Sequence, residues 1–259
     1  MNKSIIKSLT ILLVFFPAML FAQQNQLQSG TIHYNFIISF NSDSASGASR
    51  DVQPMTVTFN DQKAALYLNV PDMGEMRIIE DQKTHQTTAV FTNGKKKYYA
   101  TANEEEMKKM LEESKRVKDS AMNALNSFST ESDSTGNQLS RGEFILTDTA
   151  LVVEGITCKV YHMSNALITM QLHATRDLAL SSSLFDFGTP LSTNSDFDMS
   201  GIEGFPLEYE MEMNLLGMKM QLEMKVQSFE ANMTDESFFE IPKGYKKISM
   251  SELQNMDMD

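Results

Sequence analysis

Short runs that alternate apolar and polar residues, separated by turn formers, recur along nearly the whole chain. Such a chain has little choice but to build a β-sheet. Ile32, Tyr34, Phe36, Ile38 and Phe40 fall on one face, with Thr31, His33, Asn35 and Ser39 opposite. Period two marks a strand with one buried face. Met55, Val57 and Phe59 repeat the pattern before Asn60-Asp61, as do Leu66, Leu68 and Val70 before Pro71. Asn93-Gly94 reads as a type I′ hairpin turn, because both residues tolerate positive φ, and Lys95 to Tyr99 as its returning strand. Phe205 to Met213 and Met218 to Phe229 read as a long hairpin, and Thr234 to Gly244 as an extended closing segment. Counting the runs gives about eleven strands, and the short turns favour an antiparallel sheet.

One stretch breaks the pattern. Met107, Met110, Leu111, Val117 and Leu125 fall at helical spacing, and Asn103 with Glu106 three residues on forms a capping box. The expectation is an amphipathic helix over about 103–127, followed by a Ser/Thr/Asp-rich connector to Arg141. Together they form a helical and flexible insertion at about 101–142 within a single β domain over 23–259. Its apolar stripe suits a lid on the sheet. A second short helix is expected within Arg176 to Phe187.

Residues 1–22 read as a secretory signal peptide: Lys3 and Lys7, then an apolar run from Leu9 to Phe21, then Ala22 before Gln23. That run is short of the roughly 20 residues a span needs, so no transmembrane anchor is expected after cleavage. Localisation is expected in the periplasm, or outside the cell by secretion. The chain has 22 Lys+Arg against 34 Asp+Glu, a net charge of -12, and no basic block, which argues against nucleic-acid partners. A single Cys precludes an internal disulfide.

Sites for chemistry are sparse. Strict alternation puts Ile156, Cys158, Val160 and His162 on one face, and Ile168, Met170 and Leu172 on one face of the next strand, which calls for a Met163–Leu167 pairing. Cys158 and His162 invite a metal reading, but two candidates fall short of a tetrahedral set, so a buried thiol is expected and no metal or cofactor. Within a regular strand the two residues stand about 13 Å apart, too far for a nucleophile and its base. No nucleophile elbow, phosphate loop or zinc-protease motif is present, and neither catalytic residues nor an enzyme are expected. The 20 Met residues are the oddest feature. Met211 and Met213 share a face, as do Met218, Met220, Leu222 and Met224 on the partner strand. A row of thioethers suits core filling, an adaptable apolar cavity or soft-metal capture, in that order.

Several segments carry a family resemblance. Gly155-Ile156-Thr157-Cys158-Lys159-Val160-Tyr161, Ala174-Thr175-Arg176-Asp177-Leu178, Gly204-Phe205-Pro206-Leu207 and Phe238-Phe239-Glu240-Ile241-Pro242-Lys243-Gly244-Tyr245 occur in the order found in an exported domain-of-unknown-function family of Gram-negative bacteria. That family resembles the LolA/LolB-like lipoprotein carriers and periplasmic lipoprotein-like sensors. One position departs: where family versions carry a Trp, this chain has Leu172-His173-Ala174. The resemblance implies a half-open antiparallel barrel of about eleven strands closed by helices, whose concave face holds acyl chains. The expected function is non-enzymatic binding of an apolar or lipid-like ligand, with Met211, Met213, Met218, Met220, Leu222 and Met224 on the binding face. Met107, Met110, Leu111, Val117 and Leu125 would form the lid. The alternative is an envelope protein–protein interaction module or stress sensor with a filled barrel.

Overall fold

A computed structural model of the chain describes residues 26–42, 49–70, 74–110, 112, 116, 142–165, 168–181, 184, 197–198, 201–215, 218–232 and 234–254. The expected signal peptide 1–22, the connector and most of the predicted long helix lie outside these residues. The first half contributes β1 (Gly30–Ser42), β2 (Ser49–Phe59), β3 (Lys63–Val70), β4 (Gly74–Asp81), β5 (Gln86–Asn93) and β6 (Lys96–Ala102). The second contributes β7 (Gly142–Glu143), β8 (Ile145–Val153), β9 (Ile156–Ser164), β10 (Ile168–Thr175), β11 (Phe197–Asp198), β12 (Phe205–Leu215), β13 (Met218–Ala231) and β14 (Lys246–Lys247). Three of these are two-residue stubs, leaving the eleven longer strands that the alternation indicates.

Among the described residues, twelve strands form one sheet in the order β14-β6-β5-β4-β3-β2-β1-β13-β12-β10-β9-β8. Every pair in it is antiparallel except β14 on β6. Twelve strands laid flat would be about 50 Å wide, too broad a face for the few helical residues among those described to cover. The sheet therefore curls, and one face gathers a single apolar core from Ile32, Tyr34 and Phe36 on β1 to Tyr161 and Met163 on β9. The opposite face carries a smaller cluster of Ala65, Ile79, Val90 and Phe239, with Tyr99, Phe238 and Tyr245 against it. The C-terminal segment thus covers the outer face, through a 3-10 turn at Glu236–Phe239. Arg77 holds it there: its guanidinium donates to the carbonyls of Ser237 (2.9 Å), Phe238 (3.4 Å) and Glu240 (3.3 Å), and lies 5.3 Å from the Phe238 ring centre.

Local chemistry sets the corners. Asn60 Oδ1 accepts the N–H of Gln62 and of Lys63, turning β2 into β3. At the β5–β6 hairpin, Asn93 is the last paired residue and the loop is Gly94-Lys95, with positive φ at Gly94 alone. The double positive φ of a type I′ turn occurs instead at Glu154-Gly155 (47° and 81°), joining β8 to β9. The capping box forms as read: Asn103 Oδ1 accepts the Glu106 N–H at 2.9 Å, and Glu106 Oε2 accepts the Asn103 N–H at 3.0 Å. It starts a helix, α1 (104–110), on which Glu105 pairs with Lys109 at 2.8 Å. A short α2 (Met250–Gln254) ends the described chain.

Two further expectations change. Ile156 and Cys158 are buried, but so are Tyr161 and Met163, while His162 is exposed. The inward face of β9 switches between Val160 and Tyr161, so β10 pairs as Met163↔Met170 and Leu172↔Tyr161 rather than Met163 with Leu167. The switch lies opposite an irregularity in β8 between Leu146 and Ala150. Of the short helix expected at 176–187, the described residues show a 3-10 turn at Leu184, whose N–H donates to the Ser181 carbonyl at 3.4 Å, while Leu178 bridges to Leu27.

Candidate functional site

The inner face of β1, β13, β12, β10 and β9 is a stack of cross-strand rows set by register. One row runs Phe36, Met224, Tyr209, Leu172, Tyr161. The next runs Ile38, Leu222, Met211, Met170, Met163. The last runs Phe40, Met220, Met213, Ile168. Burial falls along the stack. Met224, Tyr209 and Leu172 are sealed, as are Met211, Leu222, Met170 and Met163. Met220, Met213 and Ile168 are half-buried, and Phe40 is 50% exposed. The sheet thus presents an apolar, Met-lined mouth at one end, continuous with its core. Met218 pairs with Ser42 and Leu215 at that end.

Met107 is buried and Met110 half-buried against the same core. They follow Ala102, which pairs with Thr87 in a row reaching Gly30, so this start of α1 sits at the end of the sheet away from the Met220 mouth. Leu111, Val117 and Leu125 lie outside the described residues.

Deep in the stack stand two phenols with no hydrogen-bond partner, Tyr34 and Tyr209, each at most 1% exposed. Burial raises both above the ordinary tyrosine range, and for Tyr34 the Glu208 carboxylate and Cys158 add to the effect. Both stay protonated donors at any physiological pH.

Glu208 was not anticipated. The β12–β13 ladder ends at Tyr209↔Met224, and the next main-chain donor, Val226 N–H, goes to Glu208 Oε1 at 2.9 Å. Its other oxygen lies 3.2 Å from His173 Nδ1. Gln171 Nε2 lies 2.9 Å from His173 Nε2, so the network assigns the imidazole proton to Nδ1, donating to Glu208. A carboxylate here stands in for a strand partner where β12 and β13 part. Register shifts at His173/Ala174 and His33/Tyr34 bring it there.

Cys158 and His162 do not meet: the thiol is buried and the imidazole faces solvent. Burial, with Glu208 and Asp177 adding, pushes the Cys158 thiol up to about 12, which disfavours the thiolate at neutral pH. No group of three or more His, Cys, Asp or Glu able to hold a metal occurs among the described residues.

Three of the four segments that carry the family resemblance meet at one joint; the fourth, around Phe238 to Tyr245, packs on the outer face. Glu203 takes Lys159 Nζ at 2.7 Å and Arg176 at 2.6 Å, and its N–H donates to Tyr161 Oη at 3.1 Å. Beside it Gly204, at φ 97°, lies so close to Thr175 that a Cβ would stand 2.1 Å from that carbonyl oxygen. Leu27 N–H donates to the Asp177 carbonyl at 2.6 Å. Those three segments therefore build a structural junction. On the outer face, a groove of about 520 Å³ is lined by Thr31, His33, Thr56, Glu230, Asn232, Thr234, Asp235 and Phe238. Seven of these eight residues are polar or charged, unlike those of the Met face.

No family model and no curated protein matches the chain. Among solved structures it is similar to PNGF-II in two crystal forms, at 12% and 11% identity with TM-scores of 0.42 and 0.41. Those matches cover 86% of this chain but 32% and 33% of the other, so the chain spans about a third of the length of PNGF-II. It is also similar to a domain assigned as an outer membrane lipoprotein-sorting protein from Vibrio parahaemolyticus (8% identity, TM-score 0.31, 85% and 94% of the two chains). A DUF1329 family protein from Desulfovibrio piger matches at 9% identity and TM-score 0.22, over 86% and 94%. No residue role is carried over from any of them.

Proposed function

We propose that this protein is a non-enzymatic binding protein of the cell envelope, taking an apolar or lipid-like ligand through the Met-lined mouth. The observation that supports this is the burial gradient along one continuous apolar face, from sealed Met224 and Met211 to half-buried Met213 and Met220 and half-exposed Phe40. A soluble fold gains nothing by leaving such a row open, whereas a binding face needs an accessible apolar lip. Thioethers there tolerate varied ligand shapes, because Met has three rotatable bonds and a polarizable sulfur. The short-motif resemblance to an exported family of Gram-negative bacteria, and the signal-like segment 1–22, support a periplasmic setting. No helix among the described residues is long and apolar enough to cross a membrane.

A second reading has its own observation. The inner rows are sealed by side chains, and the edge strand β8 exposes Ile145 (68%) and Val152 (67%), as an envelope protein-contact module with a filled interior would. Native mass spectrometry of the protein purified from its own envelope separates the two. Adducts of lipid mass that persist on gentle desolvation are expected for the binding protein. Their consistent absence across growth conditions contradicts it.

A further inference from the structure

We infer that the ligand carries an uncharged carbonyl oxygen, as in an acyl ester or a ketone, and that the Tyr34 and Tyr209 phenols are the donors that receive it. The inference rests on the apolar-ligand reading above and narrows its chemistry. A buried hydroxyl left without a partner is costly, and native proteins leave few such groups without a reason. Here two occur on the same inner face, either side of β13. Tyr34 lies opposite Val226, and Tyr209 lies opposite Met224. Neither serves the fold by a hydrogen bond, and a Phe at either position would pack as well. Tyr161, by contrast, has its hydroxyl engaged by the Glu203 N–H.

Their depth fits an elongated guest. Tyr209 is four residues inward from Met213 and Tyr34 six from Phe40, so their Cα atoms stand about 13 Å and 20 Å from the mouth. Between the mouth and Tyr209 stand Met211 and Leu222, and Met224 stands level with Tyr209 on the way to Tyr34; the thioethers among them repack readily. The charge of the guest follows from what else is inside. Among the described residues no Lys or Arg is buried, and the one buried charged side chain is an acid, Glu80. A carboxylate drawn this deep would be desolvated without a cation to meet it. A phenol O–H donating to a neutral carbonyl carries no such penalty.

The test uses the full-length mature protein and displacement of a fluorescent apolar dye by methyl palmitate, hexadecane or palmitate. Methyl palmitate is expected to displace the dye at lower concentration than the other two. Tyr34→Phe and Tyr209→Phe should each weaken methyl palmitate by about five- to tenfold, the worth of one hydrogen bond, and leave hexadecane unchanged. The melting temperature of the free variants should hold or rise, because each loses an unsatisfied buried group. If either variant melts several degrees lower, its hydroxyl serves the fold and the inference is overturned. It is equally overturned if ester and alkane bind alike, or if both variants keep full ester affinity, while the apolar-ligand reading stands. If none of the three probes displaces the dye from the wild type, that reading fails and takes this inference with it.

Discussion

Gly204→Ala should be far more damaging than its size suggests. The residue sits at φ 97°, where an L side chain is strained, and strain of this kind costs about 1–3 kcal/mol. The added Cβ would also lie 2.1 Å from Thr175 O, 2.6 Å from Thr175 C and 3.1 Å from Arg176 N. All three are backbone atoms, so no rotamer change relieves the contact. The end of β10 or the 203–205 segment must move, and overpacking of this sort adds about 1–3 kcal/mol. Movement also pulls Glu203 from Lys159 and Arg176, a loss of little weight because these groups are about half-exposed. The total is about 2–6 kcal/mol, or a fall in Tm of roughly 4–24 °C at about 2–4 °C per kcal/mol for a domain of this size. Gly94→Ala is the internal control: φ is again positive, at 57°, but nothing lies within 4 Å of its Cβ. It should lose only about 1 kcal/mol. Urea unfolding with a common m-value measures both. Equal losses for the two variants would refute the close approach at Thr175.

Other consequences are readily measured. Cys158, pushed up to about 12 from an ordinary 9.0, should resist a thiol reagent at pH 8 in the folded protein and react promptly in urea. Because the raised value belongs to the folded state, the stability linked to this thiol is complete below pH 9 and is lost as pH climbs toward about 12. Folded protein that reacts as fast as unfolded would contradict its burial. Arg77→Met removes the donors to three C-terminal carbonyls and the contact with Phe238, so limited proteolysis should cut after residue 234 sooner, with the sheet retained. Unchanged cleavage would show that Phe239 alone secures the segment.

The β-architecture was legible because period two survives wherever one face is buried. Ile32, Tyr34 and Phe36 announce the inner face of β1, and Asn103 with Glu106 announces the start of α1. Period two failed at β9 for a simple reason. Val160 and Tyr161 are adjacent and both apolar, so alternation cannot say which of them points inward, and His162 was carried to the wrong face. Glu208 was illegible for the opposite reason. It reads as one more surface acid with Glu210 and Glu212, and only the local register shifts bring it to the Val226 N–H and to His173. The Met rows were visible as rows, but their gradient depends on where the sheet ends, which pairing decides and composition does not. Nor does a sequence show that a tyrosine hydroxyl lacks a partner.

The central claim is that the Phe40–Met220–Met213–Ile168 row is where an apolar molecule enters. Photolabelling with a hydrocarbon-chain diazirine, followed by peptide mapping, tests it most directly. Labels are expected to concentrate on Phe40, Met213 and Met220, to extend to Met211 and Leu222 at longer occupancy, and to be suppressed by excess unlabelled methyl palmitate. Labels confined to Ile145, Leu146 and Val152 on β8, or spread evenly over the surface and insensitive to competitor, would contradict it.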